Sequence, residues 1–241
     1  MNRALKGLAY GAAGLVVATI AGLGGLYWFV SHPARERLPL PSNLVSLESP
    51  EGQALLAEST ARRDYDTLKG HLETQAKATW CGVASGVSVL NAIGDHLTQD
   101  TFFNACAGNI RPRLRVTFTG MPLDVFGALV ACHSATVAIV HANEVSLDRF
   151  RAQANVNVAT DGDFIVVNYR RGVLGQSDTG HISPLGAYHA ASDRFLVMDV
   201  AAYKYPPVWV KAGELWQAMD TVDGESGLRR GFAVVSAQSL R

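Results

Sequence analysis

The sequence predicts an α+β fold in which helices come first, an antiparallel sheet follows, and one hydrophobic helix precedes both. Three observations carry this. Apolar residues recur at 3–4 spacing between Glu51 and Asn155, and from Asp163 onward they fall into short β-rich runs bounded by turn residues. Helices followed by strands, rather than alternating with them, point to helices packed on an antiparallel sheet. Ahead of both, Leu8 to Val30 holds 23 residues without a charge.

That first stretch follows Arg3 and Lys6 and ends beside Tyr27 and Trp28. At about 1.5 Å per residue it is long enough for a hydrocarbon core of roughly 30 Å, and aromatic residues favour the interface. Residues 1–31 read as a membrane anchor, or as a long signal segment cut near Thr19-Ile20-Ala21. Basic residues before the span favour a domain outside the cytoplasm, either anchored in the periplasm or secreted; Arg35 and Arg37 weaken that bias. Residues 32–43 carry prolines and mixed charge and read as a linker. The remaining residues, 44–241, form one catalytic-size domain.

Within that domain Glu51–Asp64 reads as a helix and His71–Trp80 as an irregular polar approach. A second helix runs from Cys81 to about Leu97, with Val83, Val87, Leu90 and Ile93 on one face and Cys81, Ala84, Ser85, Ser88 and Ala92 on the other. Such a helix is buried on both sides. Thr98–Val116 reads as an excursion with short helical pieces and Gly120–His133 as a helix with Pro122 in its first turn. A short strand at Thr136–His141 and a helix at Leu147–Asn155 follow. The strands are Asp163–Tyr169, His181–Ala190, Arg194–Val200 and Gly231–Ser236, the middle two joined by a turn at Ala191–Asp193.

Charge excludes some classes of function. Lys and Arg number 21, Asp and Glu also 21, so nothing advertises a nucleic-acid surface or an acidic tail. Three cysteines cannot all pair with one another: Cys106 and Cys132 can bridge, though their spacing does not demand it, and at least one thiol stays unpaired within the chain. No CxxC or paired-histidine spacing points to a structural zinc. The sequence is compatible with a homo-oligomer and sets no stoichiometry.

Cys81 stands in the first turn of its helix, where backbone N–H groups and the helix dipole favour a thiolate, and Gly82 lets a substrate backbone approach. A buried cysteine is also a common small core residue, so the cysteine alone decides nothing. His181 follows Gly180 at a strand start, and Asp199 ends the otherwise apolar run RFLVMD. A carboxylate there needs a partner, and His181 is the natural one, its tautomer fixed by the acid. A simple hairpin, however, sets Asp199 opposite Leu185 or Gly186, so contact requires twist, a bulge near Pro184 or a longer turn. Gln75, six residues before Cys81, is the side-chain candidate for an oxyanion donor beside the Cys81 N–H; it reads equally as a solvated loop residue.

TQAKATWCGVASGVSVLNAI, GDFIVVNYRRGVLGQ and GHISPLGAYHAASDRFLVMDVAAYKYPPVWV resemble phytochelatin synthases, in their short bacterial form, within the papain-like cysteine peptidase superfamily. The likeness runs from about Leu38 to Ser236. It implies a papain-like fold with Cys81 as nucleophile, His181 as base and acid, Asp199 as orienting acid and Gln75 at the oxyanion. It also implies glutathione as substrate, cleaved at its Cys–Gly bond to leave a γ-glutamylcysteinyl thioester on Cys81. A second glutathione as acceptor then gives phytochelatin, and water gives γ-glutamylcysteine; short forms tend toward hydrolysis. No tightly bound cofactor is implied, and Cd²⁺ and similar ions act as activators, largely as metal–glutathione thiolates. Arg171 matches a basic family position and, with Gly180, is a candidate substrate contact. Ala202 stands where the family commonly has arginine, and the cysteine-rich extension of the plant enzymes is not expected here. Two other readings remain: a papain-like peptidase for another small γ-glutamyl or leader-type peptide, and a non-catalytic thiol or metal-binding module using the three cysteines.

Overall fold

Helix α1 (Arg3–Ser31) occupies the uncharged stretch. The structure, a computed structural model, describes residues 3–32 and 35–238, and the side chains of all of these but 3–11 and 29–30. Among the described residues no helix is long and apolar enough to cross a membrane. The side chains described run from Ala12 to Trp28, which at about 1.5 Å per residue falls short of a hydrocarbon core of roughly 30 Å. The remainder of the expected span lies outside the described side chains. What stands is a helix whose apolar residues, Leu15, Val17, Ile20 and Leu23 among them, are exposed.

Strand β1 (Val45–Ser46) leads into α2 (Pro50–Glu58), which Ser49 caps by accepting from the Gly52 N–H, with Pro50 in the first turn where no N–H is needed. The helix expected over 51–64 is two helices. Ser59 ends the first, Ala61 then pairs with Tyr188, and α3 (Arg63–Leu68) begins after it. Helix α4 (Cys81–Ala92) is shorter than its pattern predicts, because Gly94 takes φ +110° and reverses the chain. There the Asp95 N–H closes onto Leu90 O. The excursion contains α5 (Ala105–Ile110) and α6 (Arg113–Thr119), and α7 (Leu123–Val130) follows with Pro122 just outside it as the cap. A Cys106–Cys132 disulfide joins α5 to the end of α7 and leaves Cys81 as the free thiol.

After β2 (Ala135–His141) and α8 (Leu147–Asn157) come β3 (Asp163–Arg170), β4 (Gly180–His189), β5 (Arg194–Val197), β6 (Val208–Lys211), α9 (Ala212–Met219) and β7 (Gly231–Ala237). Strand β6 and helix α9 were not distinguished by their sequence pattern. The sheet is antiparallel throughout, in the order β1-β6-β5-β4-β3-β7-β2. It is covered on both faces, not on one. Phe164, Val166, Ile182, Leu196 and Trp209 face a core shared with α4 and α7, while Ile165, Val167, Phe195 and Val210 face one shared with α8 and α9. The alternation along β3 and β5 is the period of two expected of a strand buried on both sides.

One irregularity decides where the polar residues go. Strand β4 pairs with β5 as Tyr188↔Phe195 and Ala187↔Leu196, but then as Leu185↔Val197, so Gly186 is an extra residue in the ladder. Without that bulge Asp199 would share a face with Ile182 and Pro184. With it, the register carries Asp199 to Ser183, on the same face as His181, because a one-residue slip exchanges the faces. A Cβ at Gly186 would lie 2.9 Å from Met198 Cγ and 3.3 Å from Tyr65 Cβ, so the bulge is packed around a missing side chain.

Two outcomes follow for stability. Replacing Cys106 and Cys132 together by serine lowers unfolding free energy by about 2–4 kcal/mol, read from urea midpoints; reductant weakens the wild type and leaves the variant unchanged. Gly186→Val lowers it by about 1–3 kcal/mol by overpacking, and a variant as stable as wild type would show that the bulge tolerates a side chain.

Candidate active site

The Cys81 helix is built from small residues because it passes between sheet and helices with no room to spare. A Cβ at Gly82 would lie 2.8 Å from Met121 Sδ, and one at Gly86 2.9 Å from the Phe102 ring. Ser85 donates to Ile182 O at 2.9 Å, tying α4 to the strand that carries His181. Cys81 is thereby fixed at the first residue of α4, and among the described residues no side chain caps that end.

His181 and Asp199 meet. His181 Nε2 lies 3.1 Å from Asp199 Oδ1, so Nδ1 is the ring nitrogen left for the thiol. Asp199 is fully buried. Its carboxylate also accepts from the Arg171 guanidinium at 2.7 Å and from the Ala201 N–H at 2.8 Å. Arg171 is itself buried and spends a second nitrogen on Gln176 Oε1 at 2.6 Å. Arg171, expected to contact substrate, is therefore first of all the counter-ion of Asp199.

These surroundings set the protonation states. Burial would raise the Asp199 carboxyl, but the Arg171 charge, and after it His181, hold it well below the usual carboxylate range. His181 is pushed down to about 4, chiefly by burial and then by Arg171, against the opposing pull of Asp199. Burial pushes the Cys81 thiol up, more than the Ile182 backbone contact and the Arg171 charge lower it. The thiolate expected at a helix start is accordingly not the resting form; desolvation outweighs the helix end. Both directions favour the neutral forms of the thiol and the imidazole, which line the same cavity.

Gln75 is buried, anchored by its own N–H to Val200 O at 2.8 Å. Its Nε2 donates to Lys77 O, Ala78 O and the Tyr203 hydroxyl at 2.9, 2.9 and 3.0 Å. Cys81, His181, Gln75, Arg171 and Gly180 all line one cavity of about 580 Å³. The five expected site residues that face this space, together with Asp199 behind His181, come from both ends of the domain.

The cavity also holds residues that sequence reasoning missed: Asn168, Tyr203, Lys204, Asp223 and Arg230. Arg230 and Asp223 form an ion pair at 3.1 Å, yet among the described residues Arg230 Nε is buried without a partner, as is Asn168 Nδ2. A doubled arginine just before the last strand was the available signal for Arg230. Ala202 lies next to Tyr203 but does not line the cavity.

A family model described as phytochelatin synthase matches residues 35–232, which takes in every residue of this cavity. The chain belongs to the phytochelatin synthase family. Among its relatives are glutathione gamma-glutamylcysteinyltransferase 3 of Lotus japonicus, 31% identical over 84% of this chain and 44% of the relative, and glutathione gamma-glutamylcysteinyltransferase 1 of Triticum aestivum, 33% identical over 85% and 43%. A glutathione gamma-glutamylcysteinyltransferase of Schizosaccharomyces pombe is 24% identical over 83% of this chain and 51% of its own. The chain thus spans about half the length of the curated relatives it matches, or less. Among solved structures, the cysteine protease xylellain from Xylella fastidiosa aligns with a TM-score of 0.38 and 11% identity, over 84% of this chain and 88% of that one. The matched residues take in every element from β1 to α9 and the first two residues of β7, and leave α1 outside.

The His181 environment has a measurable consequence. An ordinary histidine takes up its proton near pH 6.5, so in the unfolded chain it is charged below that pH, whereas folded His181 stays neutral down to about 4. The unfolded state binds more protons in this window, so stability falls as pH drops from about 6.5 to 4. Urea unfolding of wild type and His181→Gln across that range will show a loss of about 1–3 kcal/mol in the wild type that the variant lacks.

Proposed function

We propose that this chain is a papain-like cysteine enzyme that cleaves glutathione at its Cys–Gly bond and passes the γ-glutamylcysteinyl group to water or to a second glutathione. The observation that carries the reading is the convergence, in one cavity, of a free cysteine at a helix start, a carboxylate-oriented histidine and a buried glutamine. The three relatives above are all glutathione gamma-glutamylcysteinyltransferases, which supports the substrate.

Chemistry starts from the neutral pair. His181 Nδ1 takes the Cys81 proton as sulfur attacks the carbonyl carbon of the Cys–Gly bond, and the π pair moves to oxygen. Asp199, held ionised by Arg171, stabilises the imidazolium that forms. As the intermediate collapses, the imidazolium gives its proton to the departing glycine nitrogen, leaving a thioester on Cys81. Water, deprotonated by His181, then yields γ-glutamylcysteine; the α-amino group of another glutathione yields the longer peptide. The γ-glutamyl end is a zwitterion, and the opposite charges of Arg230 and Asp223 on the cavity wall match it, with Arg230 Nε and Asn168 Nδ2 still free to donate. Gly180 leaves the approach to Arg230 open, with a Cβ position 3.4 Å from the guanidinium.

Heavy-metal ions enter this proposal as metal–glutathione thiolates, that is, as substrate. Among the described residues no group of three His, Cys, Asp or Glu side chains is arranged to hold a metal. Export to an oxidising compartment is the proposed location, supported by the Cys106–Cys132 disulfide. The exposed apolar α1 is proposed to hold the domain at a membrane, and a pairing of two copies through α1 is the competing use of the same surface.

The test is glycine release from glutathione, with and without Cd²⁺. Wild type releases glycine, and Cys81→Ser reduces release to background. Arg230→Gln raises KM for glutathione roughly 10–100-fold, the loss of one or two charge-assisted hydrogen bonds, while iodoacetamide alkylates Cys81 at the wild-type rate. Absence of glycine release by the wild type would sink the substrate assignment.

A further inference from the structure

The hydrogen bonds around Gln75 leave an unexpected donor at the site. An amide nitrogen has two hydrogens, and Gln75 Nε2 has three acceptors within reach: Lys77 O, Ala78 O and Tyr203 Oη. Two are backbone carbonyls of the loop that leads into Cys81, and they fix the amide plane. The Tyr203 hydroxyl is the third. It receives the Gln75 N–H through its oxygen, and among the described residues its own proton has no acceptor. Tyr203 lines the same cavity as Cys81.

We propose that the Tyr203 hydroxyl, held by Gln75, is the side-chain donor to the oxyanion formed when Cys81 attacks its substrate, and that Gln75 acts through it as a positioning residue. This rests on the acyl-transfer reading above and adds to it a residue that the expected set (Cys81, His181, Asp199 and Gln75) does not contain. Sulfur bonds to the carbonyl carbon, the π electron pair moves to oxygen, and that oxygen accepts from Tyr203 O–H and the Cys81 backbone N–H. Collapse returns the pair and expels the leaving group, so Tyr203 keeps its proton throughout. A phenol is suited to this: burial, the largest influence on it, raises its pKa above the ordinary phenol value, so at neutral pH it is a protonated donor. A phenol that accepts one hydrogen bond is also a better donor of the next, since bonded groups polarise one another.

Tyr203→Phe removes the donor and keeps the ring. Three readouts on the full chain separate its possible effects. Acylation of Cys81 by p-nitrophenyl acetate passes through an oxyanion and needs no glutathione; it is followed by p-nitrophenolate burst. Alkylation by iodoacetamide is a displacement at carbon with no oxyanion, so it reports thiol reactivity and folding alone. Glycine release from glutathione gives kcat and KM. The expected result is a roughly 100-fold slower burst, a matching loss in kcat with KM little changed, and alkylation within about twofold of wild type. A burst at or above the wild-type rate overturns the proposal, and a faster one means that the hydroxyl merely occupies the Gln75 donor. A parallel fall in alkylation and acylation also overturns it, since the tyrosine then acts on the thiol or the fold. Wild type that gives the ester burst but no glycine overturns the glutathione reading and leaves the Tyr203 result to be judged on the ester.

Discussion

A carboxylate with no exposure to solvent is the constraint around which this domain is arranged. Asp199 cannot be buried alone, because the desolvation of an unpaired charge exceeds what a small domain can absorb. Its three partners come from three places: Arg171 from the turn after β3, His181 from β4, and the Ala201 N–H from the chain just beyond Asp199 itself. The Gly186 bulge is what lets them meet, because it turns Asp199 to the His181 face. Buried ion pairs of this kind add little net stability, but stripping either partner strands the other. They specify a geometry more than they strengthen it.

The same arrangement sets the resting state of Cys81. Arg171 is needed to keep Asp199 ionised, but its positive charge also disfavours an imidazolium at His181, and burial disfavours it further. Burial likewise disfavours the thiolate. An ion pair of thiolate and imidazolium is therefore disfavoured at rest, and in the proposed reaction it forms as the proton moves. A thiol oxidises far more slowly than a thiolate. Burial that favours the thiol therefore also makes Cys81 less open to oxidation than a thiolate would be.

How much of this was legible in the sequence follows from the range of each interaction. The 3.6-residue period and the small-residue face of α4 are local, and they placed Cys81 at a helix start and in tight packing. The alternation in β3 and the ends of β4 and β7 are local too. The pairing of Asp199 with His181 could be argued from the cost of a buried charge, yet its geometry could not, because a glycine within a strand pattern does not say that the register slips there. Helix α9 is short and flanked directly by a strand, so its period had little room to show. Arg171 was a candidate substrate contact because it matches a basic position of the family it resembles; only the fold reveals that it is buried against Asp199. Asp223 and Arg230 sit in a polar stretch that resembles a solvated loop, and nothing local tells that both line the cavity of Cys81.

That stretch shows how recognition is joined to the framework. Asp223 accepts from the Glu225 N–H and pairs with Arg230, so the residues facing the cavity form one hydrogen-bonded loop. Glu225 is in turn gripped by Arg111 through both carboxylate oxygens, at 2.7 and 2.9 Å, and by Arg115 at 3.1 Å. Arg111 is the buried residue that ends α5, and its guanidinium also donates to Thr119, which lines the cavity. The disulfide at Cys106 holds α5 to α7, and α7 packs against α4, the helix that begins at Cys81. A charge-assisted clamp onto a cross-linked helix restrains a loop that carries no regular structure of its own. The wall that would read a zwitterionic substrate and the helix that holds the thiol are therefore two ends of one connected set of contacts, although 149 residues separate Cys81 from Arg230 along the chain.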